Sequence, residues 1–259
     1  LGKSLVTRRP VLEDIKEFLP ATGELVILAA VLMSLGGMAL GVLSATRPNS
    51  WLDNLVRVMA YLGIVTPAFV WAVILVLTFS YAWPILPAVG RLTTGVSPPP
   101  PVTNFLLLDS LLSGSYEAFW DAPSVALALA GLSQAARITR SSLSENMGKD
   151  YVLAQVAYGV PWRVVLLKYL LKPSLIPTVS ILALDISALF ANAFLVEQVL
   201  NYPGISRYGM TAMLNKDLNA ITGVIMVLGV VFTALNIVVD LIVAYLDPRV
   251  RLVGGSQSG

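Results

Sequence analysis

The sequence contains neither cysteine nor histidine. That double absence removes a disulfide framework, a Cys/His metal site, a thiol nucleophile and a histidine general base. Charge is scarce too. Asp, Glu, Lys and Arg make up 12% of the chain, about half the ~25% usual in soluble domains. With 56% of its residues apolar, a chain of 259 residues could not cover a soluble surface. The net charge of +2 gives no basic footprint for a nucleic acid. A phosphate-binding loop, which an ATPase would need, is also missing. Gly2-Lys3-Ser4 is the nearest approach, and it lacks the upstream glycine and strand. No nucleophile elbow, HExxH or paired-carboxylate constellation occurs, so the chain reads as a non-enzyme that draws any energy it uses from elsewhere. The opening stretch is polar and starts at Leu1, with no visible signal peptide. The sequence is expected to begin inside a longer gene product.

What is present is a set of long apolar runs. About 20 apolar residues cross ~30 Å of hydrocarbon as a helix. Five spans are predicted at about residues 22–45, 58–83, 122–140, 173–198 and 218–246, giving an all-α, polytopic transmembrane helical bundle. The membrane domain would occupy residues 1–253, and the Gly/Ser-rich residues 254–259 read as a flexible tail. Lys/Arg bias sets orientation. Ten basic residues, among them Arg47, Arg57, Arg137, Arg140, Lys149 and Arg249, fall on one side and seven on the other. The split predicts a cytoplasmic C-terminus.

Residues 145–178 carry the most information. Residues 151–158 are good helix formers, and Gly159 then supplies a helix stop. Val160-Pro161-Trp162 restarts a second helix with proline in its first turn. Two short helices joined by a tight turn, on the basic side of a membrane, can present a knob to a soluble partner. An interfacial amphipathic pair without a partner is the alternative.

This segment resembles the cytoplasmic EAA loop of ABC importer permeases, with the pattern E-A-A-x3-G-x9-I-x-L-P. Gly159 falls on the pattern glycine and Leu153-Ala154-Gln155 on the triplet. The triplet departs from consensus, as does the end, where Tyr169, Leu171 and Lys172 stand and Pro173 comes one place late. Both departures are similar to those of the dipeptide/oligopeptide/nickel permeases, whose loop reads roughly DYVRTARAKG; Asp150-Tyr151-Val152 and Gly159 match it. Further resemblances run in order along the chain: Thr7-Arg8-Arg9-Pro10-Val11, Trp51-Leu52-Asp53 with Leu55-Val56-Arg57, Leu86-Pro87-Ala88-Val89-Gly90-Arg91, Pro203-Gly204 with Arg207, and Val239-Asp240-Leu241 with Asp247-Pro248-Arg249.

The resemblance implies a type I-like ABC importer permease in a bacterial or archaeal cytoplasmic membrane. One further N-terminal span would complete six and put both termini inside. It implies a second permease subunit, two cytoplasmic ATPase subunits that carry Mg-ATP, an external substrate-binding protein, and transport by alternating access. Asp150, Tyr151, Val152, Ala154, Gln155, Ala157, Gly159, Pro161 and Trp162, within a coupling loop at 141–172, would meet the ATPase. Selection among peptides, nickel chelates, glutathione or opines would rest largely with the binding protein.

Polar residues inside the spans are the remaining candidates. Thr178, Asp185 and Asn192 are seven apart and share one helix face. They could line a translocation path, or they could lock helices through buried hydrogen bonds. Pro67 breaks the backbone ladder within a span, as a gate or a static kink. Gly37 and Gly41 permit close helix packing. Tyr202, Pro203, Gly204, Arg207 and Tyr208 lie on the outer side and are expected to meet the binding protein, unless the loop is a plain connector. An ion-coupled secondary transporter using Asp185 would show carboxylates in related half-repeats, and none is seen. A non-transporting scaffold would not need the Gly159 turn.

Overall fold

The computed structural model describes residues 1–83, 105, 109, 112–113 and 122–246. Eight helices follow one another among them: α1 (Val11–Thr46), α2 (Trp51–Val65), α3 (Ala68–Ala82), α4 (Ala122–Met147), α5 (Asp150–Ala157), α6 (Trp162–Val199), α7 (Ile205–Leu214) and α8 (Leu218–Leu246). Among the described residues the only bridge pairing is Lys3 with Pro10. The motifs at 86–91 and 247–249 and the tail at 254–259 lie outside the described residues.

Among the described residues three helices are long and apolar enough to cross a membrane: α1, α6 and residues Leu218–Leu241 of α8. The run expected at 58–83 is not one helix. α2 ends at Val65, Thr66 is extended (φ −92°, ψ 121°), and α3 starts after Pro67 with a bend of 114°. Pro67 has no N–H and pushes the residue before it out of the helical region. The result is a break rather than a kink, and α2 and α3 count as a fourth span only as a bent pair. α4 is long enough but too polar to join them, because Arg137, Arg140, Ser141, Ser142, Ser144 and Glu145 fill its second half.

Two other boundaries differ from expectation. The expected coupling loop at 141–172 begins inside α4, and its second short helix is the first turn of α6, which runs on for 38 residues. Pro173 and Pro177 do not stop it. A wider π turn at Val165–Leu170 precedes Pro173, whose ring excludes a bond to the carbonyl of Tyr169.

The chain folds as two compact units, Leu1–Ala30, Pro67–Leu129 and Ala188–Ala234 in the first, Val31–Thr66, Ala130–Ser187 and Leu235–Gly259 in the second. In the first, Val11 and Ile15 of α1 pack on Ile205, Tyr208 and Ala212 of α7 and on Ala220 and Val224 of α8. Phe18 stacks on Tyr208 with ring centroids 5.2 Å apart. In the second, Ala45, Leu143, Val152, Val165 and Leu170 form the core. There Gly37 and Gly41 do what their spacing suggests. A β-carbon on Gly37 would lie 2.5 Å from Ala135 Cβ, and one on Gly41 would lie 2.5 Å from Thr139 Cβ. Only glycine lets α1 and α4 approach this closely.

Candidate functional site

The α5 turn is built as the residue types dictate. Asp150 stands in the first turn of α5, where a negative charge suits the helix dipole. At the other end Gly159 has φ +76°. Its N–H donates to Val156 O (2.9 Å) and that of Val160 to Gln155 O (3.1 Å), the paired bonds of a Schellman stop. The carbonyl of Pro161 then accepts from Val164 (2.8 Å) and Val165 (3.1 Å) and opens α6.

Val152 and Val165 point into the core of the second unit. Asn146 donates to Ser174 Oγ at 3.1 Å and helps fix the end of α4 to α6. The outward side is different. Tyr151, Leu153, Ala154, Val156, Ala157, Trp162 and Leu167 are exposed, and Tyr158 is 85% exposed. The turn is thus anchored by one apolar face and offers another.

The polar stripe on α6 does not behave as one surface. Thr178 is fully buried and shares a 2.9 Å hydrogen bond with Thr139, beside the Gly41 contact. It therefore belongs to a helix-packing seam and not to an open path. Asp185 is half-buried and accepts from Gln134 Nε2 at 3.3 and 3.4 Å. Asn192 is exposed. The seven-residue spacing gave these side chains a common helix face, but their neighbours differ.

The segment expected to meet the binding protein also departs from expectation. Tyr202, Gly204 and Tyr208 are buried, so they cannot serve as contacts, while Pro203 and Arg207 are half-buried. A plain connector is excluded too, because residues 205–214 form α7 and are held by buried carboxylates. Glu197, fully buried, accepts from Thr22 Oγ1 (2.5 Å), Ser206 N (3.0 Å) and Arg207 N (3.3 Å). Thr22 Oγ1 in turn accepts from Ile205 N at 2.8 Å. Glu197 and Thr22 thereby cap the first three amides of α7, which its own cap residue, Gly204, cannot do. A β-carbon on Gly204 would collide with the Glu197 carboxylate, so glycine is required here for close approach.

Two further carboxylates close this unit. Asp14, fully buried, accepts from Thr7 Oγ1 (2.5 Å) and Tyr208 OH (3.0 Å) and pairs with Arg9 (2.7 Å). Burial, and then the bond to Asp14, push the Tyr208 hydroxyl up to about 12. Asp217 caps α8 through Ala220 N (3.2 Å) and clasps the N-terminal turn through Ser4 Oγ (2.6 Å), Leu5 N (2.6 Å) and Val6 N (3.3 Å). Burial alone would raise Asp217; the bonds from Ser4, Ala220, Leu5 and Val6 outweigh it and hold the carboxyl below its ordinary range.

In the second unit, Asp53 is fully buried. It accepts from Ser44 Oγ (2.5 Å), Asn49 N (3.0 Å), Arg57 (2.7 Å) and Arg140 (2.6 and 3.1 Å). Residue-by-residue reading gave no role to Asp14, Asp53 or Glu197. Asp217 had a legible signal, an aspartate immediately before an apolar helix. Glu197 had none, since Thr22 is 175 residues away.

Residues 37–252 match the family described as the binding-protein-dependent transport system inner membrane component. Over 98% of its length the chain is 40% identical to the probable D,D-dipeptide transport system permease protein DdpB of Escherichia coli (strain K12), covering 77% of that protein. It is 34% identical to the dipeptide transport system permease protein DppB of Alkalihalophilus pseudofirmus, over 97% of this chain and 77% of the relative. For DppB of Escherichia coli (strain K12) the identity is 30%, over 97% and 76%.

Proposed function

We propose the following on one premise: the chain belongs to the family of binding-protein-dependent transport system inner membrane components. It is a multi-pass inner-membrane permease subunit of a binding-protein-dependent importer. Its substrates are small peptides, the class named in its relatives dipeptide permease DppB and D,D-dipeptide permease DdpB. The assembly pairs it with a second permease, two cytoplasmic ATPases that hold Mg-ATP, and an external binding protein. The C-terminus is cytoplasmic, in line with the basic-residue bias. Transport proceeds by alternating access.

The observation that carries the coupling role is the two-sided α5 turn. Val152 and Val165 root it in the core of the second unit. Leu153, Val156, Tyr158 and Trp162 face outward as an apolar surface with no cover among the described residues. Exposed apolar clusters of this kind mark protein contacts. Rooted at Val165 on α6, the turn passes any displacement from an ATPase directly into a membrane-crossing helix.

The chain has no cysteine, which makes the test clean. A cysteine replacing the exposed Ala157 should crosslink to an ATPase subunit in the assembled importer and never to the binding protein. Crosslinks formed only from the external side would refute both the surface and the orientation.

A further inference from the structure

The second unit holds a cationic cavity that the coupling turn does not use. It has a volume of about 280 Å3 and lies between α2 and α4, lined by Arg57, Tyr61, Arg137, Arg140 and Ser141. Three arginines line it, and among the described residues Asp53 is the one carboxylate bound to any of them. All the accepting capacity of Asp53 is taken, by Arg140, Arg57, Ser44 and the Asn49 amide. Arg137 is exposed and makes no hydrogen bond or ion pair with a described residue. The Nε of Arg57 is buried without an acceptor. Two positive charges are left uncompensated, in a recess whose wall also carries the Tyr61 and Ser141 hydroxyls.

Guanidiniums select for planar, bidentate oxyanions, phosphate above all. The surroundings narrow the source. Tyr61 lines the cavity yet is 67% exposed, and Val58 and Val65, three residues before it and four after it on the same face of α2, are exposed as well. An apolar stripe therefore starts where the arginines end. Basic pockets between membrane helices, with aromatic residues at the interface, suit an anionic headgroup whose acyl chains lie along the adjoining apolar face. A peptide carboxylate in transit fits less well, because a path must release its cargo and a three-arginine trap holds it.

We infer that this cavity is a headgroup site for an anionic phospholipid, with Arg137 as its principal unshared ligand and Arg57, Arg140, Tyr61 and Ser141 as its walls. The inference needs only that the chain is embedded in a bilayer, and it is independent of the coupling surface.

The test uses the assembled importer in nanodiscs of phosphatidylcholine with or without phosphatidylglycerol. Native mass spectrometry reads the lipid kept on release. Wild type should retain phosphatidylglycerol, and Arg137→Gln should retain it about tenfold less, the scale of one charged hydrogen bond. Arg137→Lys should recover part of the loss, and Arg47→Gln, an exposed arginine outside the cavity, should behave as wild type. Neither soluble glycerol phosphate nor dialanine should displace the lipid. Equal retention by wild type and Arg137→Gln would overturn the site. Displacement by glycerol phosphate would make it a free-phosphate site, and displacement by dialanine a peptide subsite; either overturns the lipid assignment.

Discussion

Glu197→Ala is the substitution for which the structure gives the clearest magnitude. The change strips the acceptor from the buried Ser206 amide and the part-buried Arg207 amide, and the partner from Thr22 Oγ1. A buried donor left without an acceptor costs about 1–3 kcal/mol. The Ser206 amide alone then gives roughly 1 to 3 kcal/mol, before the part-buried Arg207 amide and the space left by the side chain are counted. Glu197→Gln should be much milder. Its amide oxygen can face Ser206 and Arg207 while its NH2 donates to Thr22 Oγ1. What it loses is the charge at the N-terminus of α7, about 0.3–1 kcal/mol. Gly204→Ala attacks the same joint from the other side, since its β-carbon falls on the Glu197 carboxylate. Thermal unfolding in nanodiscs gives the stability order, expected as wild type, then Gln, then Ala. Amide hydrogen exchange locates it, with faster exchange at Ser206 and Arg207 in Glu197→Ala. If Glu197→Ala unfolds at the wild-type temperature with both amides still protected, the capping argument is wrong.

Other outcomes follow from the same geometry. Gly159→Leu carries about 1 kcal/mol or more of backbone strain at positive φ, while its side chain meets open space. The spans should insert normally, and ATPase activity should part from uptake; Gly159→Asn, which tolerates the left-handed region, should lie between. Gly41→Val drives a β-carbon into Thr139 and the Ala136 carbonyl; overpacking of about 1–3 kcal/mol should lower the unfolding temperature. Asp217 has a lowered folded pKa, so its contribution is full above the unfolded value of about 3.9. That contribution disappears as pH falls through the folded value. Asp217→Asn should therefore flatten the acid limb of a stability–pH curve and leave its shape near neutrality unchanged.

The sequence was most legible where local chemistry decides structure. Gly159 announced a left-handed stop, and the Gly37–Gly41 spacing announced a close helix contact, because each depends on residues within one or two turns. Apolar runs located α1, α6 and α8 for the same reason. Legibility failed where the partner lies far along the chain. Glu197 and Thr22 meet across 175 residues, and Arg140 reaches Asp53 across 87. Periodicity placed Thr178, Asp185 and Asn192 on one face but could not say that the first is sealed against Thr139. Proline is hard to read from sequence alone. Pro67, expected as a gate or a kink, makes a full break, whereas Pro173 and Pro177 lie inside a continuous helix.

The central claim, that this chain is the permease of a binding-protein-dependent peptide importer, is tested most directly by reconstitution. The chain is placed in proteoliposomes with its cognate permease and ATPases, and labelled dialanine uptake is followed. The account expects uptake only with ATP on the ATPase side and the binding protein on the other, and none when either is left out. Uptake driven by a proton or sodium gradient without ATPases, abolished by Asp185→Asn, would contradict it.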